Sequence, residues 1–173
     1  EVDSEPFNLV IEVGAVNDAP VITGQLPLAT PEDTPLTITL ADLTVDDPDN
    51  DYPTDFTLAV LSGENYSVAG AAITPATDFV GSLVVPVTVN DGSADSEPFA
   101  LDVLVEGVND RPVITGQVPL ATEEDTPISV SLTDLRVNDP DNVYPDDFTL
   151  TLAPGENYTV AGTTVTPLND FNG

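Results

Sequence analysis

The chain has no cysteine, lysine, histidine, methionine or tryptophan, and Arg111 and Arg136 are its only basic residues. Each absence removes a class of function. Without cysteine there are no disulfides, so a domain in an oxidising compartment must be held by its core or by metal. Without lysine there is no Lys–Asn isopeptide cross-link. Zinc and copper sites normally call for His or Cys, and no His, Lys or Cys is available as a base or nucleophile. Two cations cannot neutralise a row of phosphates, which excludes nucleic acid as a partner. They attract an anionic membrane surface no better. No run approaches the roughly 18 apolar residues of a spanning helix, so no membrane insertion is expected. There is neither a signal peptide nor an initiating Met, so the chain reads as an internal piece of a longer protein.

What is present is acid. The 173 residues include 31 Asp and Glu, for a formal net charge of −29. Charge on this scale accompanies disorder only where hydrophobicity is low. Here 40% of residues are hydrophobic, enough to bury a core. The natural partner of such a surface is a cation.

An internal repeat organises the chain. "VNDAPVITGQLPLAT" starts at Val16 and "VNDRPVITGQVPLAT" at Val108, and aligning 16–81 with 108–173 gives 43 identities in 66 positions. "DSEPFNLVIEV" at 3–13 corresponds in the same way to "DSEPFALDVLV" at 95–105. The expected organisation is the last strand of a preceding repeat (1–15), a complete repeat (16–107) and a following repeat that lacks its last two strands (108–173). Between repeats "LTITL" (36–40) becomes "ISVSL" (128–132). Apolar stays apolar and hydroxyl stays hydroxyl, as in strands facing a core on one side and water on the other.

Period-two rows occur at Leu36–Leu40, Phe56–Val60, Leu83–Val89 and Phe99–Val105, and at Phe7, Leu9, Ile11 and Val13. Turn clusters such as "DPDND", "SGEN" and "NDGSADSEP" separate them. Seventeen prolines and no long 3.6-residue period argue against helices. About seven short strands per repeat predict an all-β fold, tandem immunoglobulin-like Greek-key β-sandwiches without the antibody-type Cys–Trp–Cys core. Pro86 falls inside the strongest row, so its missing N–H is expected to face outward or lie next to a bulge.

Strand direction predicts where the acids go. With the first strand running down, Glu32 and Asp33 lie at the bottom of the complete repeat. The next strand returns Asp46, Asp47, Asp49 and Asp51 to the top, and the turn carrying Asp91 is also at the top. The last strand leads down to Val108, Asn109 and Asp110, the equivalents of Val16, Asn17 and Asp18. Glu124, Asp125, Asp139 and Asp141 are the counterparts in the following repeat. Carboxylate-rich segments are thus expected to converge at each junction. Ca²⁺ suits them, since it takes six to eight oxygens from carboxylates, Asn side chains and carbonyls, whereas Mg²⁺ keeps its water. Asp47, Asp49 and Asp51 match positions 1, 3 and 5 of an EF-hand loop, but Tyr52 stands where Gly is required and Leu58 where Glu is required, so an EF-hand is rejected.

Taken in order, "VNDAPVI", "EDTPLTI", "DDPDND", "DFVG" and "VNDG" resemble the bacterial cadherin-like tandem repeats of large calcium-dependent cell-surface adhesins. The resemblance spans essentially the whole chain. It implies an extracellular, cell-surface location and Ca²⁺ between domains that makes the array rod-like. Its ligands would be Glu32 and Glu124, the pairs Asn17/Asp18 and Asn109/Asp110, the pairs Asp47/Asp49 and Asp139/Asp141, and Asp91. The mid-domain Asp-Arg-Glu motif of animal cadherins has no counterpart, which favours one or two ions per junction.

Other readings compete. The Asp-rich turn is also what a solvated, backbone-capping loop looks like. Asp46 and Asp51 become Asn138 and Val143, so their charge is dispensable, whereas Asp47 and Asp49 recur. "NYS" at 65 and "NYT" at 157 match the glycosylation acceptor pattern and are read as coincidence in a turn. A glycosidase would need a cleft between two carboxyls, and no enzyme activity is expected. A carbohydrate-binding or homophilic module is an alternative, in which surface polysaccharide or an identical chain is the partner. The tyrosines at 52, 66, 144 and 158 recur at the repeat offset, which suits packing better than a unique binding site. Strand donation between chains, giving a filament, is a third reading.

Overall fold

A computed structural model describes residues 2–171 and divides the chain into two compact units, the first ending at Gly107 and the second beginning at Val108. The strands of unit 1 are β1 (Val21–Gln25), β2 (Leu28–Pro31), β3 (Leu36–Thr37), β4 (Leu43–Asp46), β5 (Thr57–Val60), β6 (Tyr66–Ala69), β7 (Ala72–Pro75), β8 (Gly81–Asn90) and β9 (Phe99–Glu106). One layer is the sheet β2-β9-β8-β5. The other combines the ribbon β1-β4 with the sheet β3-β7-β6, joined through the segment 36–46. This is the two-layer immunoglobulin-like arrangement that the alternating rows predict. Between the layers lie Ile22, Ile38, Leu43, Phe56, Ile73 and the inward rows of β8 and β9, all buried.

Two local features depart from the expected strands. The row Leu36–Leu40 is strand only at Leu36–Thr37, because a 3-10 turn follows at Leu40–Asp42. The Asp42 carboxylate accepts from the Thr39 N–H at 2.7 Å and from its hydroxyl at 2.8 Å, tying the chain into the turn. Ser131 and Asp134 repeat the motif at 2.7 and 2.8 Å. The first strand is also divided. After Leu26–Pro27 the chain changes layers, and β2 pairs parallel with β9 rather than continuing the β1-β4 ribbon. Gln25 sits at this break. Its amide donates to the Asp102 carbonyl at 2.8 Å and accepts from the Asp102 N–H at 2.7 Å.

Pro86 pairs with Ala100 in an unbroken β8-β9 register, without a bulge. Its carbonyl accepts from the Leu61 N–H at 2.9 Å, one residue past the end of β5. A residue's N–H and C=O point to the same neighbour in an antiparallel ladder. The Leu61 carbonyl that an N–H at 86 would have met accepts instead from the Tyr66 hydroxyl at 2.9 Å.

Unit 2 has β10 (Val113–Gln117), β11 (Ile128–Ser129), β12 (Leu135–Asn138), β13 (Tyr158–Ala161) and β14 (Thr164–Pro167). They form the ribbon β10-β12 and the sheet β11-β14-β13, which reproduce one layer of unit 1. The segments equivalent to β2 and β5, 120–123 and 149–152, form no strand. In unit 1 those strands flank β8 and β9, and the described residues of unit 2 contain no counterpart of either. Nothing in unit 2 is fully buried among the described residues. The alternating row at 3–13, expected as a strand, is likewise outside any sheet: residues 2–20 carry no strand, and Phe7, Leu9, Ile11 and Val13 are exposed. A ladder needs a partner, and alternation alone supplies none. Among the described residues no helix is long and apolar enough to cross a membrane.

Candidate metal centre

The Asp-rich turn after β4 is built around one side chain. Asp47 Oδ1 accepts from the N–H groups of Asp49 at 2.8 Å and Asn50 at 2.9 Å, an Asx-type turn that fixes the loop. Asp47 Oδ2 is buried without a hydrogen-bond partner, and so is Asn50 Oδ1. Orphaned buried oxygens are uncommon, and each calls for a physical reason.

Three further segments meet this turn. The Asp18 N–H donates to Asp49 Oδ2 at 2.8 Å. Asn17 donates to Asp91 Oδ2 at 3.0 Å, and Asn50 Nδ2 donates to the Asp91 carbonyl at 3.4 Å. Asp91 is buried at the β8-β9 hairpin, where its Oδ1 also accepts from the N–H groups of Ser93 and Ala94, both at 2.7 Å. The Asn17 amide, followed by the Ala94 N–H, holds the Asp91 carboxyl below its ordinary value of 3.8, despite the opposing pull of desolvation. Asn17, Asp18, Asp47, Asp49 and Asp91 are therefore brought together at one end of unit 1.

Unit 2 repeats the loop. Asp139 Oδ1 accepts from the N–H groups of Asp141 at 3.0 Å and Asn142 at 2.9 Å. The Asp110 N–H donates to Asp141 Oδ2 at 2.6 Å, and Asn142 donates to Asn109 Oδ1 at 3.2 Å. Asp139 Oδ2 is again buried and unpartnered. The same oxygen is left over in both units.

Glu32 and Asp33 lie at the opposite end of unit 1, joined by Asp78; one carboxylate oxygen from each falls within 4.8 Å of the others. Glu32 is buried because the β2-β9 pairing carries it inward, with its N–H donating to the Glu106 carbonyl at 2.8 Å. A Cβ at Gly107 would lie 3.8 Å from Glu32 Oε1, so the chain leaves unit 1 directly past this group. Asp33 and Asp78 have φ of 55° and 57°, and their counterparts Asp125 and Asp170 have 59°. Asp and Asn tolerate this left-handed conformation better than most residues. Glu124 and Asp125 are exposed and join no such group among the described residues, since the pairing that buries Glu32 has no equivalent there.

Asp51 stands outside the cluster. It is exposed, and its N–H donates to Asp55 Oδ2 at 3.2 Å. Asn50 and Asn142, which do join it, and Asp78 were not singled out from the sequence. Their signal was recurrence: "DPDN" and "DF" survive in both repeats while the residues flanking them change. The tyrosines pack. Tyr52 stacks edge-on against Phe56 at 5.1 Å and donates to the Leu40 carbonyl, and Tyr144 repeats both contacts with Phe148 and Leu132.

The donors suit Ca²⁺. They are oxygens only, from carboxylates, Asn amides and carbonyls. The buried leftover oxygen of Asp47 and of Asp139 is what a hard cation would satisfy. Among solved structures, the chain is similar to the crystal structure of human protocadherin-24 EC1-2, at 17% identity and a TM-score of 0.41, covering 89% of this chain and 79% of that one. No curated protein sequence matches. Residues 16–106 match the family described as Cadherin-like domain, and the chain belongs to that family.

Proposed function

We propose that this chain is a calcium-stiffened spacer in an extracellular, adhesion-type array of repeats, of the kind found on bacterial cell surfaces. The reading is structural rather than catalytic, and its partners are neighbouring repeats of the same or identical chains. It places residues 1–15 as the end of one repeat, 16–107 as a whole repeat and 108–173 as part of the next.

The observation that carries it is the recurrence of one unsatisfied buried oxygen, on Asp47 and on Asp139, inside the same loop. Asn17, Asp18, Asp47, Asp49, Asn50 and Asp91 would hold an ion in unit 1. Asn109, Asp110, Asp139, Asp141 and Asn142 would hold one in unit 2. When bound, Ca²⁺ supplies positive charge to the buried, unpartnered oxygens of Asp47 and Asp139. The chain's part is to tie the linker to the loop. Asp18 and Asp110 already bond the loop through their backbone N–H, so an ion shared by linker and loop freezes the linker's dihedral freedom. Calcium binds the ordered linker and not the flexible one, and stabilises the ordered form by mass action. At millimolar extracellular calcium, a site with a Kd on the order of 10⁻⁴ M is mostly filled.

Calorimetric titration of calcium into the chain, with Asp47→Ala and Asp139→Ala as comparisons, tests the binding. Small-angle scattering with and without EDTA tests the stiffening. One of the two sites lost in each variant, with a longer and less flexible wild-type particle in calcium, is the expected result. Scattering and melting that chelation leaves unchanged would sink the proposal.

A further inference from the structure

The two units build the same ribbon and charge its outer face differently. At the repeat offset, six aligned positions change charge. Four raise it: Ala19 becomes Arg111, Thr44 becomes Arg136, Asp46 becomes Asn138 and Asp51 becomes Val143. Two lower it, Pro31 becoming Glu123 and Thr54 becoming Asp146. The only two cations of the chain therefore both fall in unit 2, one on the ribbon β10-β12 and one two residues before it. Unit 1 carries twenty acids and no basic residue.

The ribbon sets which way these residues face. Ile22, Leu43 and Val45 pack into the core of unit 1, so strand alternation turns Val21, Thr44 and Asp46 outward, and all three are exposed. Unit 2 has the same register, with the same irregularity between Ile114 and Gly116. Val113 lies opposite Asn138 as Val21 lies opposite Asp46, and Arg136 opposite Gly116 as Thr44 opposite Gly24. Val21 and Val113 are 58% and 57% exposed, so this face is open in the complete sandwich of unit 1 and in unit 2 alike. A Cβ at Gly116 would lie 3.9 Å from Arg136 Cδ, which places the arginine stem along the face. Among the described residues Arg136 has no ion-pair partner.

We infer that the outer face of β10-β12 docks laterally on the outer face of β1-β4 in a second copy of this chain. The two faces share one backbone shape and one central valine, and they are opposite in charge. Val113 packs on Val21, Arg136 forks onto the Asp46 carboxylate, and Arg111 adds a second cation at the rim. The charges make the contact directional, because two unit 1 faces would bring Asp46 against Asp46 and two unit 2 faces would bring Arg136 against Arg136. The inference sharpens the identical-chain partner of the spacer reading and does not need calcium, since Asp46 is not among the oxygens assigned to the ion.

An exposed ion pair contributes little, so the contact is short-lived and the test must trap it. The chain has no cysteine, so Val21→Cys and Val113→Cys variants carry one thiol each. When the two are mixed in equal amounts and oxidised, random collision yields twice as much mixed disulfide as either self-pair. At low ionic strength the mixed product is expected to exceed that ratio severalfold, and to return to it in high salt, which screens exposed charges. Thr159→Cys, exposed on β13, should give the random ratio with Val21→Cys. Adding Arg136→Thr and Asn138→Asp to the Val113→Cys variant should abolish the excess, and the fold tolerates both because unit 1 holds those residues there. The excess is expected in EDTA as in calcium. Its failure would therefore leave the calcium reading standing, and a failure of calcium binding would leave the excess. Three results would each overturn the inference: a random ratio at low ionic strength, an excess that survives Arg136→Thr with Asn138→Asp, or an equal excess with Thr159→Cys. Polygalacturonate that binds the wild type but not Arg136→Thr, while the disulfides stay random, would assign the face to an anionic polymer instead.

Discussion

Replacing Asp47 by Asn or by Ala separates the two jobs of this residue. Oδ1 holds the loop through two backbone N–H bonds, and Oδ2 is the buried oxygen left over. Asn keeps the first acceptor and removes the charge of the second, whereas Ala removes both. A hydrogen bond to a charged group contributes about 1.5–3 kcal/mol when well sheltered. Asp47 is only half-buried, so about 2 kcal/mol for the pair is the reasonable expectation. The calcium contribution follows from linkage: with free calcium tenfold above Kd, one site stabilises by about 1.4 kcal/mol. For a unit of this size that is roughly 6–11 °C in Tm. Asp47→Asn should therefore melt close to wild type in EDTA and roughly 6–11 °C lower in calcium, while Asp47→Ala should be destabilised in both conditions. Calorimetry with and without calcium reads the difference, and hydrogen exchange of β8 and β9 amides assigns it to unit 1. If Asp47→Asn gained as much from calcium as wild type does, Oδ2 would not be a ligand and the reasoning would fail.

Other expectations follow from packing and electrostatics. Ile73→Ala empties a fully buried position and should cost about 2–5 kcal/mol by denaturant titration, whereas Val165→Ala, at the half-buried equivalent in unit 2, should cost roughly 1 kcal/mol. Gly63→Ala puts a Cβ 2.5 Å from the Tyr66 hydroxyl, so the ring must swing away from the Leu61 carbonyl. Its cost of about 1 kcal/mol should match that of Tyr66→Phe, and the double variant should be little worse than either. Hydrogen bonds from Ser131 hold the Asp134 carboxyl below its ordinary value of 3.8. A depressed carboxyl contributes stability that is present above its unfolded value and lost as pH falls through its folded one. Carboxyl NMR should therefore place the Asp134 midpoint below 3.8, and Ser131→Ala should move it back up.

The sequence exposed the fold where local pattern and pairing coincide. The rows Leu83–Val89 and Phe99–Val105 became β8 and β9, and strand direction brought Asn17, Asp47, Asp49 and Asp91 to one end. It failed where a distant partner decides. Nothing local in Leu28–Pro31 announces a parallel pairing with β9, and that pairing is also what buries Glu32. Residues 3–13 and 120–123 show the converse: good strand sequences that form no strand without a neighbour. At Leu36–Leu40 a two-bond cap between Thr39 and Asp42 outweighed the alternation. Asp78 was passed over because a carboxylate in a left-handed turn looks like an ordinary turn former, and it is one.

Much of the acid count has this double character. Asp42 and Asp134 cap 3-10 turns, Asp33, Asp78, Asp125 and Asp170 occupy left-handed positions, and Asp91 braces its own hairpin. Backbone work of this kind explains why Asp stands there, but not why so few cations accompany it. The discriminating feature is the oxygen left over. Asp91 commits both oxygens to donors, Oδ1 to Ser93 and Ala94 and Oδ2 to Asn17. Asp47 and Asp139 each commit one and bury the other unused. A buried oxygen that no donor reaches is unfavourable in a chain that closes its loop with nothing bound, and favourable in one that closes it around a cation. Calcium dependence should therefore concentrate at these two positions rather than spread over the acids in proportion to their charge.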